Sequence, residues 1–219
     1  VWQPGEQGSQ ALCRVLFGEV SPSGHLPLTA ARNSGQLPVY YGLPRGSGYV
    51  AAGHTGMIRN KNGYINDTAF PLYYFGHGLS YTQFRYSGLK IEKDRLSAKD
   101  ELKATVQIEN TGSWDGAEIV QFYIADKTAS MVRPVMELAG FRRVSLKRGE
   151  KKEVSLKMKL SQCAFLDRNM KWIVEAGEME LLCGSSCADI RCRQSFEITD
   201  TMEVDEKTRG FYAECRVED

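Results

Sequence analysis

Leu102, Ala104, Val106 and Ile108 alternate with Lys103, Thr105 and Gln107, and this stretch decides the fold. Successive side chains of an extended strand point to opposite faces, so the four apolar residues share one face and the polar ones the other. The same period of two recurs at Val120, Phe122 and Ile124, at Val154, Leu156, Met158 and Leu160, at Met179, Leu181 and Cys183, and less regularly at Ile190, Cys192, Phe196 and Ile198. Turn formers separate these runs: Asn110-Thr111-Gly112, Asp115-Gly116, Lys147-Arg148-Gly149-Glu150 and Gly184-Ser185-Ser186. Roughly seven short strands with no helical pattern between them predict a mainly β chain, an antiparallel β-sandwich of the immunoglobulin or fibronectin type III kind over 76–198. The stretch 199–219 is charged and only weakly periodic. It fits a last strand as well as a frayed end, and is assigned as a charged tail or linker.

Ahead of the sandwich the pattern is different. Ala11, Leu12, Val15 and Leu16 share one face of a short amphipathic helix over 10–17, and Gly18 follows where a helix end favours a left-handed residue. From 19 to 75 glycine and proline interrupt helices and leave only brief extended pieces such as Leu37 to Tyr41. One helix and a few short strands bury too little apolar area to offset chain entropy, so residues 1–75 are expected to pack against something else.

The 219 residues, 42% hydrophobic and 25% charged, suffice for one large or two small domains. Lysine and arginine number 28 against 27 acidic residues, a net charge of +1. Without an excess of positive charge, nucleic acid and anionic membrane are not expected partners. No run approaches the ~18 apolar residues of a membrane-spanning helix, so a soluble protein is expected. The sequence opens at Val1 with neither an initiator methionine nor a leader, which reads as a start in mid-protein. Six cysteines are too sparse for a disulfide scaffold and lack C-x-x-C spacing. They read as free buried thiols and favour a reducing cytoplasm over secretion.

Chemistry-bearing patterns are few. A glycosidase needs two carboxyl groups across a cleft, but Asp100, Glu101, Glu118, Glu137, Glu150 and Glu153 sit beside turns or alternate with apolar positions, as solvent-facing strand residues do. Asp67 and Asp115 read as turn formers. No G-x-S-x-G elbow surrounds any serine, and no phosphate-binding glycine loop is present. His25, His54 and His77 lack the spacing of metal ligands, so neither a metal nor another cofactor is expected. Cys183, Cys187 and Cys192 read as packed core thiols, with a hairpin disulfide and then zinc as the rival readings. The aromatic cluster Phe70, Tyr73, Tyr74, Phe75, Tyr81, Phe84 and Tyr86 fits an interdomain plug better than a sugar-stacking platform. Asn66-Asp67-Thr68 is a formal glycosylation sequon, and Lys147 to Glu153 reads as a solvated hairpin tip.

Three longer runs carry a resemblance. Trp2-Gln3-Pro4-Gly5-Glu6-Gln7-Gly8, continuing through Val15-Leu16-Phe17-Gly18 to Pro22-Ser23-Gly24-His25-Leu26-Pro27, resembles the last helix and following turn of the α/β-sandwich domain in glycoside hydrolase family 3, the β-glucosidase and β-xylosidase family. Pro71-Leu72-Tyr73-Tyr74-Phe75-Gly76-His77-Gly78-Leu79-Ser80-Tyr81-Thr82-Gln83-Phe84 resembles the hinge into that family's fibronectin type III-like domain. Asn110-Thr111-Gly112, Gly116, Glu118, Val120-Gln121, Tyr123, Arg133-Pro134-Val135, Glu137-Leu138, Gly140-Phe141, Val144, Leu146 and Gly149-Glu150 follow the same family's order inside the sandwich. His25 departs from the family's usual arginine or lysine, and Trp114 and Ala117 vary one turn.

The resemblance implies a partial α/β segment over 1–75 ahead of the sandwich. It also implies a parent enzyme that removes a terminal β-linked sugar with retention, using an aspartate nucleophile on a (β/α)8 barrel and a glutamate acid/base usually supplied by the α/β-sandwich domain. Neither motif has a counterpart in this sequence, so no catalytic residue is transferred. The partners implied are that barrel, the rest of the α/β-sandwich domain and, through the whole enzyme, a β-linked oligosaccharide. Within the 45–67 loop, His54, Arg59 and Tyr64 are the candidate contacts at the rim of the cleft. The rival reading is a stand-alone carbohydrate-binding or adhesion module.

Overall fold

A computed structural model describes residues 3–44 and 70–218, and there the alternating stretches become two facing sheets. The strands are β1 (Phe84–Ile91), β2 (Arg95–Leu96), β3 (Glu101–Asn110), β4 (Gly116–Asp126), β5 (Glu137–Leu146), β6 (Lys151–Lys159), β7 (Phe165–Leu166), β8 (Trp172–Val174), β9 (Gly177–Ser186), β10 (Asp189–Ile198), β11 (Met202–Glu203) and β12 (Glu214–Glu218). One sheet has the order β1-β3-β6-β12 and is antiparallel throughout. The other has the order β2-β10-β9-β4-β5, parallel only between β2 and β10. A small third sheet joins β11, β8 and β7.

The predicted inward residues form the core. Leu102, Val106 and Ile108 are fully buried and Ala104 is nearly so. They share one apolar cluster with Val120, Phe122 and Ile124 of β4, Val154, Leu156 and Met158 of β6, and Leu181 and Cys183 of β9. All six cysteines are free, with Cys183 and Cys187 buried. Burial pushes the Cys163 and Cys187 thiols up to about 12 and Cys215 up to about 11, so these groups stay neutral and act as packing volume.

Strand β4 is buried on both faces. Its outward side chains Tyr123 and Ala125, with Leu182, Met136 and Cys187, make a second cluster, and Tyr41, Tyr74 and Phe75 of the preceding segment pack on it. A strand covered on both sides reads as a continuous apolar run, which is how Ile119 to Ala125 reads apart from Gln121.

The covering segment begins with helix α1 (Gly8–Leu16), two residues ahead of the predicted start. It ends as the sequence foretold: Gly18 takes φ +78° and its N–H donates to Val15 O at 3.0 Å. Farther on, two stretches clasp each other antiparallel. Leu26 N–H donates to His77 O, Gly76 N–H to Leu26 O, and Ala30 N–H to Tyr73 O, all at 2.8–2.9 Å. Leu37 to Tyr41, expected as an extended piece, has no ladder partner among the described residues.

Besides the two- and three-residue strands β2, β7, β8 and β11, three longer strands differ from expectation. β1 and β5 were not foreseen, and the assigned tail or linker over 199–219 instead places Glu214–Glu218 against β6 as an edge strand. β5 hides because only Ala139, Val144 and Leu146 are buried while Phe141, Arg142 and Arg143 face solvent. β12 hides because its two inward residues, Cys215 and Val217, sit among charges. The turn expected at Gly184 to Ser186 also moves. β9 runs through Ser186, and the reversal falls at Cys187 and Ala188.

Candidate functional site

The chemistry of the described residues concentrates at the seam between the 22–44 and 70–81 segments and the outer face of β4 and β9. His25 stands at its centre, with 11% of its side chain exposed. Its Nδ1 lies 2.6 Å from Gly76 O and 2.9 Å from Ser185 O, and its Nε2 lies 3.3 Å from Glu118 Oε1. Nδ1 also lies 3.1 Å from Gln121 Nε2, itself a donor, so it is the two carbonyls and the Glu118 carboxylate that favour the imidazolium, the one form that donates from both ring nitrogens. Gln121 Nε2 donates to Gly76 O at 3.1 Å, so that carbonyl serves both side chains, and Gln121 Oε1 accepts from Tyr123 Oη at 2.6 Å. Burial pulls the His25 pKa down, but the Glu118 carboxylate and the two carbonyls outweigh it and hold the ring above its usual value.

Glu118 corrects the sequence reading: it is not a solvent-facing strand residue but is 6% exposed and tied to His25. Its parity with Val120 and Phe122 puts it on the core-facing side of β4, opposite Val144. The sequence reading overlooked that parity, and with it the buried partner, His25, that the carboxylate meets there. His25 was weighed as a metal ligand and noted as a departure from the family pattern, and Gln121 was noted as part of that pattern. A buried polar pair inside an apolar run, Glu118 and Gln121, is the signal that points to the seam.

Beside the seam lies a cleft of 460 Å³ lined by His77, Ser80, Glu118, Asp189 and Arg191 among others. Two carboxyl-bearing residues thus line one hollow, and each is already engaged by other groups of the protein. Arg191 donates to Asp189 through Nε and Nη2, the latter at 2.7 Å, and with a further bond from Ser185 Oγ holds its carboxyl below the usual carboxylate range. A carboxyl kept ionised in this way cannot deliver a proton to a leaving group. Glu118 is already engaged by His25 and by the N–H of Ile119. Among the described residues no three His, Cys, Asp or Glu side chains gather closely enough to hold a metal ion. No helix among them is long and apolar enough to cross a membrane.

The aromatic cluster divides. Phe75 stacks on Tyr41 at 4.2 Å, and Tyr41 meets Tyr123 edge-on at 6.1 Å, which is the plug arrangement. Phe84 and Tyr86 belong to the sandwich core. Tyr73 stacks on His77 at 4.9 Å, and Tyr81 donates its hydroxyl to Val15 O at 2.6 Å. His54, Arg59 and Tyr64, and the sequon at Asn66, lie outside the described residues.

Residues 1–81 match the glycosyl hydrolase family 3 C-terminal domain, and residues 118–187 match the fibronectin type III-like domain. This chain belongs to glycosyl hydrolase family 3. A putative beta-xylosidase of Formosa agariphila is 38% identical over 90% of the chain, and a periplasmic beta-glucosidase of Salmonella typhimurium 37% identical over 90%. The crystal structure of a beta-glucosidase from Listeria innocua in complex with glucose superposes with a TM-score of 0.81 at 30% identity, over 90% of the chain. The chain spans about a quarter of the length of each: 24%, 25% and 27%. It corresponds to the C-terminal portion of these family 3 enzymes. His25 lies in the first matched region and Glu118, Gln121 and Ser185 in the second, so the seam joins the two regions by which the family is recognised.

The charge on His25 gives this seam a pH dependence. A base whose pKa is raised on folding adds stability that is complete below its unfolded value, about 6.5, and disappears as pH rises through the folded value. Between pH 6 and 8.5 the melting temperature of the wild-type chain is expected to fall further than that of His25→Gln, which keeps a donor for the two carbonyls and carries no charge. Parallel profiles in thermal unfolding of the two proteins would exclude the charged form.

Proposed function

We propose that this chain is the supporting C-terminal part of a retaining β-glucosidase-like hydrolase. In this reading a (β/α)8 barrel and the remainder of an α/β-sandwich domain carry the nucleophile and the acid/base and remove a terminal β-linked sugar. The part described here holds them in register and performs no bond cleavage of its own. Catalytic carboxylates work only when placed within a fraction of an ångström, and a rigid buttress is one way a fold secures that.

One observation carries the reading. Leu16 and Phe17, at the end of α1, are 67% and 82% exposed, and Leu37, Tyr40 and Leu79 in the same covering segment are all above 60%. Surface of this kind on a segment that already spends its other face on the sandwich fits burial against a neighbouring domain. A stand-alone binding module has no use for it.

The isolated chain, given p-nitrophenyl β-glucoside, is expected to release no nitrophenol above background. Calorimetry with cellobiose and laminarin is expected to show no heat of binding. A dye that reports exposed apolar surface is expected to brighten on the chain, and Leu16→Ser with Phe17→Ser to remove most of that signal. Saturable nitrophenol release or saturable heat with either glucan would overturn the supporting role.

A further inference from the structure

The cavity framed by Arg133, Gln162 and Arg209 lies away from the seam and serves none of the roles above. Its volume is 190 Å³, and Ile124, Ala139, Met158 and Cys163 contribute to its lining. Three side chains bury a polar atom there that has no partner in the protein: Arg133 Nε, Gln162 Oε1 and Arg209 Nε. Buried donors and acceptors are almost always satisfied, so three orphans around one hollow ask for an occupant.

Other atoms of each side chain are engaged, which marks out the orphans. Gln162 Nε2 donates to Ala139 O at 2.9 Å, so the amide cannot flip and Oε1 remains as an acceptor. Arg133 Nη2 donates to Glu137 Oε2 at 2.7 Å, and its guanidinium lies 4.6 Å from the Phe165 ring. Arg209 sits between Trp172 and Phe211, at 3.9 and 4.7 Å, and its Nη1 donates to Ala164 O at 3.3 Å. It forms no ion pair among the described residues. The charged groups facing the cavity are thus two guanidiniums and the Glu137 carboxylate, since the Cys163 thiol is neutral. The lining carries one positive charge in excess.

We propose that this cavity binds a small hydroxylated carboxylate of the sugar-acid type. One carboxylate satisfies both Nε–H donors and neutralises the excess charge, in the charge-assisted geometry that arginine favours. A hydroxyl on the same molecule donates to Gln162 Oε1. A neutral sugar leaves the charge unanswered, and a bare carboxylate leaves the amide oxygen unanswered. The volume falls short of the ~300–1,000 Å³ typical of drug-sized ligands and limits the occupant to roughly one ring.

Glucuronate titrated into the full chain tests this, followed by calorimetry and by nitrogen-resolved NMR of the arginine Nε–H and glutamine side-chain signals. Saturable one-to-one binding is expected, with the Arg133, Arg209 and Gln162 signals shifting together. Glucose, acetate and inorganic phosphate are each expected to bind at least ten-fold more weakly, and Arg209→Lys, which keeps the charge but loses the Nε–H, to weaken glucuronate at least ten-fold. No saturable binding, or shifts confined to other residues, would overturn the site. Phosphate or acetate binding as tightly as glucuronate would overturn the assigned ligand class. The NMR readout uses the wild-type chain, so the site stays testable if Arg209→Lys does not fold.

Discussion

Tyr123→Ala is expected to destabilise the chain by about 3–5 kcal/mol and to loosen the covering segment from the sandwich. Tyr123 is fully buried in the second cluster, against Tyr41, Phe75 and Leu182. Truncation removes a large aromatic from a site whose walls belong to two different stretches of chain, so collapse can close the hole only by moving one stretch against the other. It also strips Gln121 Oε1 of the hydroxyl that donates to it at 2.6 Å. Gln121 in turn shares Gly76 O with His25, so the loss reaches the ion pair with Glu118. Urea unfolding measures the free energy. Hydrogen exchange at Leu26, Ala30 and Gly76, whose N–H groups hold the clasp, is expected to speed up more than exchange at Val106 in β3. Tyr123→Phe keeps the ring and is expected to cost only about 1–2 kcal/mol, the price of one buried acceptor left unpaired. Equal exchange at both places in Tyr123→Ala would mean that Tyr123 stabilises the sandwich alone.

The sequence showed this plug from one side only. Phe75 and Tyr74 stood out as part of an aromatic cluster, and an interdomain plug was the expected arrangement. Tyr41 and Tyr123, which complete it, are far apart in the chain and had no reason to be paired. Period-two alternation was legible wherever one face of a strand meets the core and the other meets water, as in β3 and β6. It failed in opposite ways elsewhere. On β5 and β12 too few residues point inward for a pattern to register, and on β4 both faces are buried, so the alternation no longer marks an inside and Glu118, in step with Val120 and Phe122, was taken for a solvated residue. A single sequence reports how often a residue type recurs but not what covers it, and the polar heart of the seam depends wholly on coverage. The cavity at Arg133, Gln162 and Arg209 was invisible for the same reason, since these residues come from two loops and a short 3-10 helix far apart in the chain.

Gly184→Ala is expected to be as damaging as the loss of Tyr123, by the opposite route of adding one carbon. A Cβ at Gly184 would stand 2.0 Å from Asp189 O, 2.8 Å from Ile190 Cα and 2.9 Å from Asp189 C. All three atoms are backbone of β10, so no side chain can swing aside. The β9–β10 hairpin must open exactly where its register already shifts, between Asp189 and Cys192. Opening it moves the two groups that depend on this corner: Ser185, whose carbonyl faces His25, and Asp189, which Arg191 holds. A cost of about 3 kcal/mol or more follows, read as a fall of roughly 6–12 °C in melting temperature. Gly149→Ala is the comparison, because its difficulty is conformational and nothing else. Gly149 has φ +75° at the tip between β5 and β6, with no atom within 4 Å of a built Cβ, and an alanine there is expected to cost only about 1 kcal/mol. If Gly184→Ala melted no lower than Gly149→Ala, the hairpin would be yielding without loss, and the corner that carries Ser185 to His25 would be softer than its close backbone approach implies.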